Sequence, residues 1–596
     1  MVVVTDACAV PTGSSRPLHI RWLGRVAYRD AHALQTGLFT SSRPDHLLLL
    51  EHPHVYTLGV RGDLGHFLRS PAEVGAELEH TDRGGDVTYH GPGQLVGYPI
   101  LSVPGKRGGG LADTTAYVCS VEQLVMDVLG DLGLADVGRV PGFPGVWVTQ
   151  GSDAPRKICA VGVKLSRGRS MHGFALNVAP DMAMFGHIVP CGIADKGVTS
   201  LRDEGIEVSM RDVVDAVARR AAERWGSGGH DRADVVWRHT PEDLSPFSRG
   251  EGPGDAVRPT VGVVSPSNRR RQPGDEVPVA LGGTTARRAG RLTEAGVTEG
   301  LDIGSRKPEW MRARLQLTDD VIAIRKTMRD LDLVTVCEEA GCPNLSECWS
   351  DGTATFMING ERCTRACGFC LVDTRHPLPT DPMEPERVAE AVERMGLRFA
   401  VVTAVARDDL PDGGAAEFAA VIRAIRTRTP GVSIEVLIPD CKGDPDALEV
   451  VFAERPDVLN HNIETVARLQ RAARPSASYA RSLAVLARAK AAGLTTKSSL
   501  IAGMGETAEE MEQALVDLAG VGVDIVTIGQ YLRPTSHHLP VARWWTPQEL
   551  TALKLTGEAL GIGHVEAGPL VRSSYHARQA AAIVARGPLP VTLATG

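Results

Sequence analysis

Six of the eleven cysteines in this 596-residue chain fall between Cys337 and Cys370, in two triplets. The tighter one, Cys363-Thr-Arg-Ala-Cys367-Gly-Phe-Cys370, sets three residues and then two between its thiols. The other, Cys337-Glu-Glu-Ala-Gly-Cys342-Pro-Asn-Leu-Ser-Glu-Cys348, has spacings of four and five. This commits the segment to tight metal-holding loops. A closed structural site takes four protein ligands, usually from two Cys-x-x-Cys pairs. Three Cys on one loop can hold three irons of a four-iron cluster and leave the fourth open. For either triplet alone, a zinc loop completed by a distant residue is the bland alternative. Spacing does not separate iron from zinc, and the assignment to two clusters rests on both triplets together. A disulfide framework would need an export signal, and Met1 to Arg16 has no basic start followed by a long apolar stretch.

Length and composition bound the rest. A chain this long is expected to hold two or more large domains. With 23% charged and 43% hydrophobic residues it reads as an ordinary globular protein. A net charge of −8 gives no global basic field for nucleic acid. No apolar run approaches the ~20 residues that cross a membrane. The unpaired Cys and the missing signal fit a reducing cytoplasm. The expected organisation is a loose tail over 1–17, a domain over 18–225, a flexible linker over 226–290 and a second domain over 291–596. The linker holds Gly-Ser-Gly-Gly, several Pro and the run Arg269-Arg270-Arg271, with Trp237 and Phe247 as apolar exceptions able to dock on a neighbouring domain.

Downstream of the triplets, strand and helix patterns alternate. Phe399 to Val405, Ser433 to Pro439, Val458 to Asn462, Lys497 to Ala502 and Ile525 to Ile528 read as short buried strands. Val388, Ala391, Val392 and Met395 form a helical stripe stopped by Gly396. The alternation predicts a parallel sheet, open or closed into a barrel. Polar residues at its strand ends, namely Arg407, Asp408 and Asp409, then Asp440, then Asn460, His461, Asn462 and Glu464, and finally Gln530, would face a shared site.

Further segments make the second half resemble lipoyl synthase, a radical S-adenosylmethionine enzyme. They are Lys307-Pro308-Glu309-Trp310, Arg407-Asp408-Asp409-Leu410-Pro411-Asp412-Gly413-Gly414, His461-Asn462-Ile463-Glu464-Thr465, Gly503-Met504-Gly505-Glu506-Thr507 and Arg572-Ser573-Ser574-Tyr575. The resemblance implies a partial (β/α) barrel of radical S-adenosylmethionine type. It implies two 4Fe-4S clusters: the catalytic one on Cys363, Cys367 and Cys370, which acts with S-adenosylmethionine, and an auxiliary one on Cys337, Cys342 and Cys348, with Ser574 as fourth ligand and sulfur as its cargo. Two sulfurs would enter an octanoyl chain, with electrons from a donor such as ferredoxin or flavodoxin. Cys441 departs from the family pattern and reads as a buried spectator thiol.

In the first half, Arg83-Gly84-Gly85-Asp86-Val87-Thr88-Tyr89-His90 is a Gly-rich segment of the kind that lets backbone approach a ligand. Lys157 opens a small apolar strand, where Lys rarely points without a task. Cys191 sits in a Pro-Cys-Gly turn as a plausible exposed thiol, and a nearby Lys⁺ would favour its thiolate. A surface Lys and a buried Cys are what composition alone favours. With His172-Gly173-Phe174-Ala175-Leu176-Asn177, Glu51-His52-Pro53 and Tyr56-Thr57-Leu58-Gly59, these segments resemble octanoyltransferase, which shares the α/β mixed-sheet fold of the biotin and lipoate protein ligases. The resemblance implies that Cys191 accepts the acyl group and Lys157 assists proton transfer. It places Arg83 to His90, Ala160, Val161 and Gly162, and Gly173, Phe174 and Ala175 along an acyl tunnel. Cys159, close to Lys157 in sequence, is rejected because the family nucleophile aligns with Cys191.

Taken together, the two resemblances imply a bifunctional enzyme of protein lipoylation. Its expected partners are octanoyl-acyl carrier protein, and the lipoyl domains of 2-oxoacid dehydrogenases and of the glycine cleavage H protein. The alternatives are a single active half with the other as a docking module, an ATP-dependent lipoate ligase on the first fold, and an iron–sulfur scaffold without turnover. A flexible linker of roughly 65 residues would span about 45 Å and raise the local concentration of one site near the other.

Overall fold

Strands covered on both faces read as unbroken apolar runs, and Phe399–Ala404 and Ile525–Gln530 are such runs. The computed structural model describes residues 16–103, 105, 112–149, 155–190, 196–237, 286–312, 319–335 and 344–585. These residues divide into two compact units, the first ending at Trp237.

The second unit is built on a seven-stranded sheet, wholly parallel and in sequence order: Thr353–Ile358, Phe399–Ala404, Ser433–Leu437, Val458–Asn460, Thr496–Ala502, Ile525–Gln530 and His564–Gly568. Five of these are the strands predicted from sequence; the two outer ones are additional. The outer strands do not pair with each other among the described residues, so the sheet stays open, as a partial barrel does. Helices alternate with the strands. In Glu384–Arg394, Val388, Ala391 and Val392 are buried, and Gly396 ends the turn at φ +59°, a conformation that costs Gly little.

The first unit has a nine-stranded mixed sheet. Its order runs His230–Asp234, Leu18–Arg25, Asp45–Glu51, Gln94–Ile100, Arg169–Asn177, Arg156–Ser166, Phe143–Val148 and Val137–Val140, with Gly197–Val198 added alongside Arg156–Ser166. The first three strands are parallel and the rest of the order is antiparallel. Helix Thr114–Asp131 buries Tyr117, Val121, Leu124, Val125 and Val128 into the core, and helix Met210–Trp225 adds Val213, Val214, Val217 and Ala221. A capping box, Ser209 with Asp212, starts the latter. Val87–His90 belongs to a separate three-stranded sheet with Val55–Leu58 and Glu77–His80.

Both ends of the expected linker are corrected. The strand His230–Asp234 pairs in parallel with Leu18–Arg25, and Trp237 stacks on Trp22 with ring centroids 4.3 Å apart. The first unit therefore runs past Gly226; the Gly-rich stretch is a turn into an edge strand. At the other end, helix Ala286–Glu294 begins before 290. It docks on the second unit, where Arg471 pairs with Glu294 at 2.7 Å and Leu292 is buried. Residues 238–285, with Phe247 and the Arg run, lie outside the described residues, as does the tail before Arg16. Among the described residues, no helix is long and apolar enough to cross a membrane.

Candidate active sites

In the first unit, Lys157 sits near the start of the strand Arg156–Ser166 and is buried, 9% exposed. Its Nζ donates to the Pro144 carbonyl at 3.2 Å and lies 4.7 Å from the Trp147 ring centroid. Gly145 makes room for it. At φ +126°, a Cβ there would lie 2.5 Å from the Cys159 carbonyl and 3.5 Å from Lys157 Cε. Cys191 lies outside the described residues, within 191–195. The chain enters that segment at Pro190, where the Val189 amide donates to the His66 carbonyl at 2.8 Å. It returns at Gly197–Val198, with Val198 in register with Lys157 and the Thr199 amide donating to the Lys157 carbonyl at 3.0 Å. Cys159 is fully buried, and burial pushes its thiol pKa up, which makes it unreactive.

The expected tunnel segments come together. Gly173, Phe174 and Ala175 pair with Gly162, Val161 and Ala160 across the antiparallel ladder. The Gly84 amide donates to the Val163 carbonyl at 3.0 Å, and a Cβ on Gly162 would sit 3.0 Å from the Gly84 carbonyl. Glycine at these positions lets two backbones touch. Arg83 is a clamp: its Nη2 donates to the Thr57 carbonyl at 2.7 Å, Thr57 Oγ1 at 2.8 Å and the Asp86 carbonyl at 2.7 Å. Asp86 accepts from the Asp63 amide at 2.9 Å and pairs with His66. Gly85 takes φ +99° between them. Val87, Thr88, Tyr89 and His90 are all buried. The Tyr89 hydroxyl is 2.7 Å from His54 Nδ1, and His90 Nδ1 is 2.7 Å from Gln94 Oε1. Burial, with His52 nearby, pushes the His90 pKa down to about 3, so the ring is neutral.

In the second unit, Cys363, Cys367 and Cys370 are free thiols on one loop. The Cys363 amide donates to the Asp373 carbonyl at 2.8 Å. The Gly368 amide donates to the Ala473 carbonyl at 2.7 Å, and the Gly368 carbonyl accepts from the Leu539 amide at 2.9 Å. A Cβ on Gly368 would sit 2.7 Å from Leu539 Cγ. His538 Nε2 lies 2.9 Å from the Cys370 carbonyl. Desolvation is the main cause that pushes all three thiols up, Cys367 to about 11; Cys363 adds to the rise of Cys367, and both add to that of Cys370. Three unbridged, half-buried thiols on one loop form a soft donor set that fits iron, whose charge would favour the thiolates.

Of the other triplet, Cys337 and Cys342 lie outside the described residues. Cys348 is on helix Leu345–Ser350, on which the segment bearing Ser574 docks. Asn344 Nδ2 donates to the Leu570 carbonyl at 2.6 Å, the Tyr575 hydroxyl donates to Glu347 at 3.1 Å, and Arg578 pairs with Asp351 at 2.7 Å. The structure thus brings the Ser574 segment to the helix of Cys348, some 226 residues away in sequence.

The strand-end residues divide into two groups. Arg407 is occupied with Asp409 and the Asn359 carbonyl, and Gln530 holds the Trp545 amide and the Arg543 carbonyl. Asp408 and Asp440 hold Arg365. These are structural. His461 Nε2 and Asn462 Oδ1, like Asp440 Oδ2 and Asn460 Oδ1, are buried atoms with no hydrogen-bond partner among the described residues. His461 Nδ1 faces the Ile438 carbonyl at 2.9 Å, and burial pushes its pKa down to about 4. Glu464, at φ +65°, is half-buried beside Asn462, and desolvation raises its pKa. Unsatisfied buried polar atoms at this sheet end point to a ligand that would complete them. Arg474 was not singled out from sequence; its Nη1 donates to the Asn462 carbonyl at 2.8 Å, and its charge acts on Cys367. Cys441 is buried, its thiol pushed up to about 12, as a spectator should be.

A family model of the lipoyl protein ligase A/B catalytic domain matches residues 27–222, and one of the radical SAM superfamily matches residues 357–518. A lipoyl synthase of Rubrobacter xylanophilus is 56% identical over 285 residues, 48% of this chain and 89% of that protein. A lipoyl synthase of Mycobacterium avium is 53% identical over 280 residues, 46% of this chain and 91% of that one. Among solved structures, a bi-partite lipoate protein ligase from Thermoplasma acidophilum is 18% identical, covering 38% of this chain and 88% of that chain with a TM-score of 0.32, a likeness too slight to carry an argument.

Proposed function

The chain belongs to the lipoyl synthase family through its second half and carries a lipoyl protein ligase A/B catalytic domain in its first, and from that premise we propose that it performs two consecutive steps of protein lipoylation. In the first step, Cys191 Sγ attacks the octanoyl thioester of acyl carrier protein. The Cys–acyl bond forms and the carrier thiol leaves with a proton. The ε-amine of a lipoyl-domain lysine then takes the acyl group and frees Cys191. Lys157 would hold the proton in these exchanges. The observation that supports transfer through Cys191 is the pairing of Val198, seven residues on in sequence, in register with Lys157.

In the second step the octanoyl chain, still on its lysine, gains two sulfurs. Bound to this half, a catalytic 4Fe-4S cluster with S-adenosylmethionine supplies radical hydrogen abstraction, and an auxiliary cluster supplies sulfur. Cys363, Cys367 and Cys370 would hold the first; Cys337, Cys342, Cys348 and Ser574 would hold the second. His461 and Asn462, with unsatisfied atoms at the same sheet end, would orient the bound cofactor, and the buried walls would exclude water. An electron donor such as ferredoxin or flavodoxin is required. Residues 238–285 would serve as the tether, and the acceptors would be lipoyl domains of 2-oxoacid dehydrogenases and of the glycine cleavage H protein in the cytoplasm.

The test is anaerobic incubation of the reconstituted chain with octanoyl-acyl carrier protein and an apo lipoyl domain, followed by mass spectrometry of the domain. Octanoyl adduct is expected without S-adenosylmethionine and reductant, and lipoyl adduct with them. Cys191→Ala should abolish the first product, by a factor on the order of 10⁴ or more. Cys367→Ala should keep it and abolish the second. Octanoylation that requires free octanoate and ATP would replace the transferase reading with a ligase.

A further inference from the structure

Between the first two thiols of the catalytic triplet stands Arg365, 8% exposed at its side chain. Its Nε donates to Asp408 Oδ2 at 2.8 Å, and its Nη2 to Asp408 Oδ1 at 2.6 Å and to Asp440 Oδ1 at 2.6 Å. Asp408 follows the strand Phe399–Ala404 and Asp440 follows Ser433–Leu437, so one guanidinium ties the loop to the ends of two neighbouring strands. Thr364 adds to the same anchor: its Oγ1 donates to Asp408 Oδ2 at 2.8 Å, and its amide donates to the Ala406 carbonyl at 2.9 Å. The Arg365 amide itself donates to Cys363 Sγ at 3.4 Å. The clamp is bidentate toward Asp408 and buried, the geometry in which Arg is not replaceable by Lys. It carries one positive charge between two carboxylates, so its role toward an anionic thiolate site is geometric more than electrostatic.

We propose that Arg365 is a positioning residue for the catalytic cluster, holding the Cys363–Cys367 turn in its ligand-ready shape before iron arrives. The proposal rests on the assignment of that cluster to Cys363, Cys367 and Cys370. With the loop pinned through Arg365, the three thiols are aimed by the sheet, and loading the cluster need not order the turn. Without the clamp, Asp440, fully buried with Oδ2 unpartnered among the described residues, loses its paired guanidinium and keeps the Lys442 amide on Oδ1 at 3.1 Å beneath the loop.

The experiment uses the full chain, reconstituted anaerobically as wild type, R365Q, R365K, D440N and C367A. It reads the change in the electron paramagnetic resonance signal of the dithionite-reduced protein on adding S-adenosylmethionine, and the rate at which a ferrous chelator strips iron from the responsive cluster. Melting of the apo forms is followed in parallel. R365Q should lose that iron about 10-fold or more faster than wild type. R365K and D440N should fall between, and the iron remaining in C367A should be stripped at the same rate as the unresponsive iron of every other variant. If R365Q does not fold, D440N, which keeps the Asp408 pair, decides the matter. Wild-type stripping rates and signals in all Arg365 and Asp440 variants, with only the melting changed, would overturn the proposal. A wild type with no responsive cluster, or a C367A that keeps one, would instead overturn the underlying assignment.

Discussion

The two units bury titratable groups in different ways. In the first, three of the deeply buried groups are histidines left neutral. His46 faces Ser42 Oγ at 2.6 Å, His52 faces the Val26 carbonyl and the Tyr98 hydroxyl, and His90 faces Gln94; burial pushes the imidazole pKa of each down. In the second, His461 is also a buried imidazole, but the deepest groups include an ion pair. Lys497 Nζ lies 3.0 Å from both Glu435 oxygens, at 0% and 1% exposure, and Asn460 adds a bond to Glu435 at 2.9 Å. Arg365 with Asp408 and Asp440 repeats the device beneath the cysteine loop. A neutral buried imidazole is satisfied by one or two hydrogen bonds but is vulnerable to acid. A buried ion pair depends on its partner. With His46, His52 and His90 against His461 in the second unit, the first should therefore be the more sensitive to acid, and the second the more sensitive to the loss of a single charge.

The largest expected effect is on the charge side of this contrast. Lys497→Met should destabilise the second unit by about 3–5 kcal/mol in urea unfolding, because Glu435 remains buried and uncompensated. The pair K497M/E435L should recover most of that loss. A double variant as unstable as the single would mean that packing, not charge, sets the cost.

Acid comes next. His52, with its pKa at about 4 when folded, is protonated in the unfolded chain at an ordinary value of about 6.5. Its contribution is fully present above that value and is lost as pH falls from about 6.5 through about 4. The full loss is on the order of 3 kcal/mol. His90 acts in the same direction over a window that reaches about 3. Urea midpoints of the two units, followed by separate tryptophan probes, should diverge below pH 6.5, the first unit falling faster. Parallel midpoints would break the comparison.

The smallest effect concerns backbone contact. Gly173→Ala places a Cβ 2.2 Å from the Gly97 carbonyl and 2.5 Å from Pro99 Cδ, and should cost about 1–3 kcal/mol in thermal melting. Gly130→Ala, near the end of helix Thr114–Asp131 with nothing within 4 Å, should be neutral or stabilising by up to about 1 kcal/mol. The difference between them separates glycines pressed against neighbouring backbone from those that sit in open space.

Those structural choices also explain what could be seen in the sequence. Among the inner parallel strands, Phe399–Ala404 and Ile525–Gln530 announced themselves as near-continuous apolar runs, whereas Ser433–Leu437 and Thr496–Ala502 are broken by Glu435 and Lys497. The strand Thr353–Ile358, with two threonines, and the five-residue His564–Gly568 offered no comparable run. His-Asp-Arg-Ala-Asp at 230–234 has no apolar alternation at all; it is a strand because its neighbour needs an edge partner, a fact of tertiary structure. The cysteine spacing and the segments shared with known families pointed to the sites. The partners of Arg365, 43 and 75 residues downstream, and the partner of Lys497, 62 residues upstream, are set by strand adjacency, which no local pattern encodes.

The polar strand at 230–234 has a practical consequence for anyone wishing to cut the molecule in two. It covers the open backbone of Leu18–Arg25, and Asp231 receives both His19, at 2.6 Å, and Arg21 from that strand. A fragment stopped at Trp225, where the helix ends, would expose an almost wholly buried strand along its unpaired edge, a template for adding strands from other copies. Insolubility of such a fragment would report the position of the cut rather than any dependence of one half on the other; a scission placed beyond Trp237 keeps the hem of the sheet intact.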